Sequence, residues 1–243
     1  MDQDPATYGE RIAGIYDEVW GGILDTDAAV DCIAELAGSG PILELGIGTG
    51  RLAIPLTRRG VDVHGIDASE AMVARLREKP GGEGIPVTMA NFRDVPVDGT
   101  YPLILVAFNT IFALTTQEDQ VRCFEAVAAR LSPGGMFVVE AFVPDPARFV
   151  EHQTTRTMRV EDDRVMLQAS RHDPVGQRVD SQHILVAEEG IRLYPVQLRY
   201  SWPAELDLMA RLAGLILRDR WGGWDRRPFD SESTGHVSVY IRP

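Results

Sequence analysis

The segment Pro41-Ile-Leu-Glu44-Leu-Gly46-Ile-Gly48-Thr-Gly50-Arg51 is an apolar strand that runs straight into a tight glycine turn. Glycines at such a turn give the backbone access to positive φ and let a ligand press against the main chain, where a Cβ would collide. A nucleotide-like guest is the natural occupant. The spacing narrows the choice. A dinucleotide fingerprint wants its third glycine at position 51, which is Arg51, and here that glycine arrives one residue early at Gly50. Glu44 adds a carboxylate at the end of the strand, which suits a cationic amino group and would repel a pyrophosphate.

Around this turn the hydrophobic pattern alternates between strands and helices, which argues for a parallel sheet. Helices are expected over 8–20 and 27–36, then strand 42–45, helix 50–59, strand 61–66 and helix 69–79, with Ser69 as its N-cap. A short strand at 87–90, an apolar strand at 103–108, a helix at 118–131, a turn at 132–135 and a strand at 136–142 complete the alternation. Beyond Pro144-Asp-Pro146 the period changes to β-type alternation broken by polar turns. This reads as an antiparallel meander with strands at 155–160, 164–172, 178–187 and 191–202. A helix over 203–213 and strands at 215–221 and 237–241 end the chain. Three parts are therefore expected: a nucleotide-binding core with an N-terminal helical lid (1–146), an inserted β cover (147–202), and a C-terminal helix and strands that complete the core sheet (203–243).

The second strand ends in Val63-His-Gly-Ile-Asp67, roughly 20 residues past the glycine turn, where an acid can accept hydrogen bonds from both ribose hydroxyls. With Glu44, Gly46, Gly48 and Gly50, this arrangement resembles motif I and the ribose-binding acid of the Rossmann-like (class I) S-adenosylmethionine (SAM) methyltransferases. Ala90-Asn91-Phe92-Arg93-Asp94 resembles the adenine-binding motif of that family, and Ala107-Phe108-Asn109 stands where the sheet edge would meet the sulfonium end of the cofactor. The resemblance implies a seven-stranded, mostly parallel α/β sheet with helices on both faces. It implies SAM as cofactor and S-adenosylhomocysteine as product, with Ala68, Asn91, Phe92 and Phe108 joining the ligands above. Tyr16 matches a position from which an aromatic lid folds over the cofactor. The meander resembles the β-rich cover of natural-product methyltransferases, where acceptor specificity resides. Asn109 at the end of the fourth strand and Tyr194, Arg199 and Trp202 in the meander are the expected acceptor contacts. His152, which follows the fifth strand, is the candidate general base, and His183 and Tyr200 are further side chains able to orient an acceptor.

Composition sets outer limits. The 243 residues carry a formal charge of −12, which disfavours nucleic acid as a partner. No apolar run approaches the length of about 20 residues that a membrane span requires. Met1-Asp-Gln-Asp-Pro5 lacks a basic start and an apolar stretch, so a cytoplasmic location is expected. Cys32 and Cys123 fall in helical patterns and read as buried thiols; no metal site is expected. Arg218, Arg220, Arg226 and Arg227, interleaved with acids, read as a solvated salt-bridge face. The expected partner is a small-molecule acceptor, and a homodimer is compatible with this organisation. Methyl transfer to N, O or C is the leading function. A methyltransferase-fold enzyme using SAM for another reaction, a non-catalytic SAM-binding protein and an NAD-linked oxidoreductase are the alternatives, the last disfavoured by Arg51.

Overall fold

The computed structural model describes residues 6–20 and 25–243, so residues 1–5, on which the leader expectation rested, lie outside the described residues. From the N-terminus, α1 (Thr7–Ile12), α2 (Tyr16–Trp20) and α3 (Thr26–Ala37) lead into an alternation of β1 (Ile42–Leu45), α4 (Ala53–Arg58), β2 (Val63–Asp67), α5 (Glu70–Glu78), β3 (Val87–Met89), β4 (Tyr101–Val106), α6 (Gln117–Arg130) and β5 (Leu131–Phe142). The meander follows as β6 (Gln153–Val160), β7 (Arg164–Asp173), β8 (Arg178–Ala187) and β9 (Gly190–Arg199). The chain closes with α7 (Pro203–Leu212), β10 (Ile216–Trp221) and β11 (Gly235–Ile241).

Seven strands form one sheet in the order β10-β11-β5-β4-β1-β2-β3, all parallel except β11, which runs antiparallel to both of its neighbours. Its central strands are apolar on both faces because helices cover both: α6 and α7 pack around Phe124, Phe137 and Tyr240, and α3 and α4 around Ile33, Ile42 and Leu56. Strand order reverses between β1 and β4, and at such a switch point the carboxyl ends of the strands leave a crevice. The meander is a separate four-stranded antiparallel sheet in sequential order. In its register Arg156, Gln168, His183 and Tyr194 form one cross-strand row, with Ser170, Ser181 and Val196 in the next row on the same face.

Several boundaries differ from the sequence pattern for local reasons. The helix expected over 8–20 is two, interrupted at 13–15 around Gly14, where a helix-interior glycine costs about 1 kcal/mol relative to alanine. The helix expected from Gly50 begins at Ala53, since Gly50 is held at φ +79° within the turn. The turn at 132–135 is present as an excursion within β5, whose register against β4 passes from Leu131 to Met136. The last meander strand stops at Arg199, and Trp202 instead precedes α7, with Pro203 in its first turn. Arg218, Arg226 and Arg227 pair at the surface with Asp219, Glu35 and Asp225, but Arg220 turns inward to Asp207 and the Tyr240 hydroxyl. Both cysteines are buried and free.

The meander is fastened to the core by Arg199, placed by the sequence pattern among the acceptor contacts. Its side chain is only 7% exposed and takes no part in lining the cleft between core and meander. It donates to Glu205 Oε1 at 2.7 Å, Gln120 Oε1 at 2.8 Å, Ser201 Oγ at 2.8 Å and Gln177 Oε1 at 3.1 Å. Gln120 in turn donates to the carbonyls of Arg199 and Leu114. Burial alone would raise the Glu205 carboxyl, but Arg199, Gln177 and Gln117 outweigh it and hold it below the usual range. Arg199→Ala is expected to cost about 3–5 kcal/mol in urea unfolding by leaving Glu205 buried and unpaired. The Glu205 share of this stability is present above the carboxylate's unfolded pKa and is lost as pH falls through its lower folded value. A loss below about 1 kcal/mol would show that the clasp does not hold the meander.

Candidate active site

The three glycines of the turn do three different jobs. All have positive φ. A Cβ on Gly46 would lie 2.6 Å from Thr110 Cγ2 and one on Gly50 2.3 Å from Leu76 Cδ1, so both permit close packing of the turn. A Cβ on Gly48 would meet nothing nearer than the Gly46 carbonyl at 3.9 Å, and Gly48 lines an open cleft. Gly46 borders the same cleft; Gly50 lies behind it.

Asp67, at the end of β2, organises this edge. Its Oδ2 accepts from the Gly48 N–H at 2.7 Å and its Oδ1 from the Ser69 N–H at 2.9 Å. Burial pushes its carboxyl up from the ordinary value, opposed by the N–H groups of Ser69, Gly48 and Ala68. Glu44 is 5% exposed, and its Oε2 has no hydrogen-bond partner among the described residues. Burial pushes its carboxyl up to about 8, although Arg51 pulls it down; Asp67 adds a further upward push. One buried oxygen of the Glu44 carboxyl beneath the glycine turn is therefore left without a partner, the kind of group that suits a cation, although Glu44 itself does not line the cleft.

One end of the cleft is lined by Asn91 and Phe92 after β3, with Ala68 alongside. Asn91 Oδ1 caps the short helical turn that follows by accepting from the Arg93 N–H at 2.9 Å, which leaves it one lone pair for a ligand. After β4, Phe108 and Asn109 are both left-handed, at φ 50° and 64°, a strained pair for residues with side chains. Glu140 on β5 holds it: its Oε2 accepts from the Phe108 N–H at 2.7 Å and its carbonyl from the Asn109 N–H at 3.1 Å. Asn109 Oδ1 accepts from the Phe142 N–H at 2.6 Å, so its oxygen braces β5 while the residue borders the cleft.

The cleft has a volume of about 360 Å³ and lies between the sheet edge, α1, α2 and the meander. Tyr8, Tyr16 and Trp20 form its roof, and the Trp20 ring meets Phe108 edge-on at 5.3 Å and His183 at 5.4 Å, bridging core and meander. Burial pushes the Tyr16 phenol up to about 12 and raises that of Tyr8 as well. Asp17 latches α2 to the turn through Thr49 Oγ1 and Lys79 Nζ, each 2.6 Å away. The opposite wall carries Arg148, Arg156, Gln168, Ser181 and His183.

Of the acceptor contacts expected from sequence, Asn109 lies at the cleft. Tyr194 supports the roof from outside by packing on Ile12, Ala13 and Met72, and Trp202 stands 42% exposed against Tyr200 beyond it. His152 sits at an exposed corner with φ 63°, where its carbonyl accepts from the His172 N–H, and its ring is not part of the cleft wall. The histidine on that wall is His183, and burial, with Arg156 nearby, depresses it to about 4. The sequence places His183 among the side chains able to orient an acceptor, and strand parity favours it over His152, since it shares its face with Ser181 and Gln168. Arg156 shares the row of Gln168 and His183, whereas Arg148, Tyr8 and Trp20 carried no comparable signal.

These residues fit SAM: Glu44 answers an ammonium, the Gly48 surface admits a ligand where a Cβ would protrude, and Asp67 and Asn91 offer acceptors for ribose and adenine. The comparisons agree. A family model described as a methyltransferase domain matches residues 42–135. The chain is 43% identical to the CcbJ methyltransferase of Streptomyces caelestis across 98% of both chains, with a TM-score of 0.91. A cypemycin N-terminal methyltransferase from Streptomyces sp is 27% identical over 98% of this chain and 99% of its own. The SAM-bound amino pentose methyltransferase CalS10 of Micromonospora echinaspora, at 22% identity over 94% of this chain and 97% of its own, shares the fold with a TM-score of 0.71. The chain belongs to the Rossmann-like SAM-dependent methyltransferases.

Proposed function

We propose that this methyltransferase acts on a small-molecule amine held between the sheet edge and the meander, and that it works in the cytoplasm without a nucleic-acid partner. The observation that carries the reading is the placement of His183 on the cleft wall, hydrogen-bonded to Gln168. Arg156 Nε donates to Gln168 Oε1 at 2.6 Å, which fixes the amide so that its NH₂ donates to His183 Nε2 at 3.3 Å. The imidazole proton then sits on Nδ1, and with its affinity for a second proton depressed, His183 is poorly suited to remove one from an acceptor. The phenols of Tyr8 and Tyr16 keep their protons. A hydroxyl or carbon acceptor would want a base that this wall does not offer among the described residues. A neutral amine needs only its lone pair aimed correctly. The relatives' names lean the same way: one acts on an N-terminus and one on an amino pentose.

When bound, SAM supplies an electrophilic methyl group on a positively charged sulfur. The chain positions and desolvates: Phe108 and Asn109, pinned by Glu140, shape the sheet edge, while Tyr8, Tyr16 and Trp20 exclude water from above. After attack the nitrogen carries a surplus proton, which leaves to solvent.

Calorimetry should show micromolar-range binding of SAM and S-adenosylhomocysteine and none of NAD. Gly48→Val should weaken SAM by about a hundredfold or more, and Asp67→Ala by about 1–3 kcal/mol. Wild-type affinity in both variants would misplace the cofactor.

Glu44 makes a separate forecast. With its carboxyl near 8 it is largely protonated at pH 6.5, and a ligand ammonium beside it favours the carboxylate. Cofactor binding at pH 6.5 should therefore release close to one proton, read from calorimetric enthalpies in buffers of different ionisation heat. Glu44→Gln should abolish the release. An equal release in both proteins would mean that Glu44 does not face the ammonium.

A further inference from the structure

We propose that the acceptor carries an oxyanion group, a carboxylate or a phosphate, which Arg148 and Arg156 grip on the meander wall; the inference rests on the reading of this cleft as the acceptor site. Both arginines border the cleft. Arg148 lies in the short helical turn Pro146–Arg148 and Arg156 on β6, so two separate segments bring them to one wall.

Neither guanidinium has a carboxylate within ion-pair distance among the described residues, in a chain of net charge −12 where most other arginines are paired or bonded to carbonyls. Asp145 is the acid that Arg148 feels, but its Oδ1 accepts from the Ala147 N–H and caps the turn. On the meander side the cleft has no acid at all among its lining residues; its lining carboxylate is Asp67, at the cofactor end. Partial burial and the neighbouring charge of Arg156 both lower the proton affinity of Arg148. Two unneutralised guanidinium groups brought together beside a cavity are unfavourable until an anion joins them.

Both are also preorganised. The Arg148 guanidinium lies 4.8 Å from the Phe149 ring centroid, that ring stacks on His172 at 4.5 Å, and His172 Nε2 is hydrogen-bonded to the Tyr200 hydroxyl at 2.9 Å. A cation resting on such a stack is fixed in direction. Arg156 is tethered by its Nε to Gln168, which leaves both terminal nitrogens free to meet two oxygens of one group. These groups would hold the part of the acceptor remote from the reacting nitrogen, so they set specificity and orientation.

The test is an NMR titration of the arginine Nε–H signals in the complex with S-adenosylhomocysteine, using inorganic phosphate in one arm and acetate in the other. Arg148 and Arg156 should shift and saturate at millimolar anion, while the exposed Arg192 and Arg211 shift only slightly and without saturation. Arg148→Gln should weaken the anion by about tenfold or more and leave S-adenosylhomocysteine affinity unchanged. Saturation with phosphate alone assigns a phosphate monoester, with acetate alone a carboxylate, and with both the shared chemistry. If neither anion saturates the pair, or if Arg148→Gln binds anion like wild type, the inference falls. Because S-adenosylhomocysteine binding is measured in the same samples, its loss would instead indict the cofactor site.

Discussion

The hydrogen bond from the Gly48 N–H to Asp67 Oδ2 is the constraint on which the site depends. It joins the loop after β1 to the end of β2, so the turn that receives the cofactor is braced by the side chain expected to hold the ribose. The other oxygen of Asp67 fixes the Ser69 N–H, and Ser69 Oγ caps α5 by accepting from the Met72 N–H. Ser69 also donates to Glu10 Oε1, which ties α1 to this edge, and Gly9 allows the approach, since a Cβ there would stand 2.6 Å from Ser69 Cβ. One carboxylate thus couples glycine turn, helix cap and roof. Its raised proton affinity reflects burial that outweighs three favourable N–H contacts, a cost accepted where a ligand will supply further donors.

The meander depends on a different polar centre. Arg199, Gln120, Ser201, Gln177 and Glu205 form a nearly closed network in which each buried group has a partner. Such a network favours one docking of the cover on the core over others, because any shift breaks several charge-assisted bonds at once. The two arginines at the cleft contrast with it. Arg199 is buried and satisfied, whereas Arg148 and Arg156 reach solvent without counter-ions. Paired arginine builds the frame, and unpaired arginine faces the cavity.

How much of this was legible follows from the range of each signal. The glycine turn, Asp67 and the alternation of strands with helices were readable because each rests on a short segment whose spacing and periodicity are local. Glu140 was not: its role arises from a contact across 32 residues with the Phe108 N–H, and nothing near Glu140 in the chain announces it. Arg199 was misread because its type suits ligand and clasp equally, and only the approach of Gln120, 79 residues away, decides between them. His152 and His183 differ in position. His183 falls inside a strand on the cavity face, whereas His152 precedes β6 at a left-handed corner whose conformation the sequence does not encode.

Parity also explains how a shared cofactor half can serve different acceptors. On β6 to β9 the residues facing the cleft alternate with residues facing away, so Arg156, Gln168, Ser181 and His183 can be exchanged without disturbing the strands that carry them. The docking network lies elsewhere, at the end of β9 and the starts of α6 and α7, and the residues expected to hold the cofactor lie mainly on the loops that follow the first four strands. A change of wall therefore leaves docking and methyl donor intact. The roof is the exception. Trp20 touches Phe108 on one side and His183 on the other, so a bulkier residue at 183 would press on α2 and, through Asp17, on the glycine turn itself. The meander wall and the sheet edge meet at Trp20, which makes position 183 the least freely exchangeable residue of the wall.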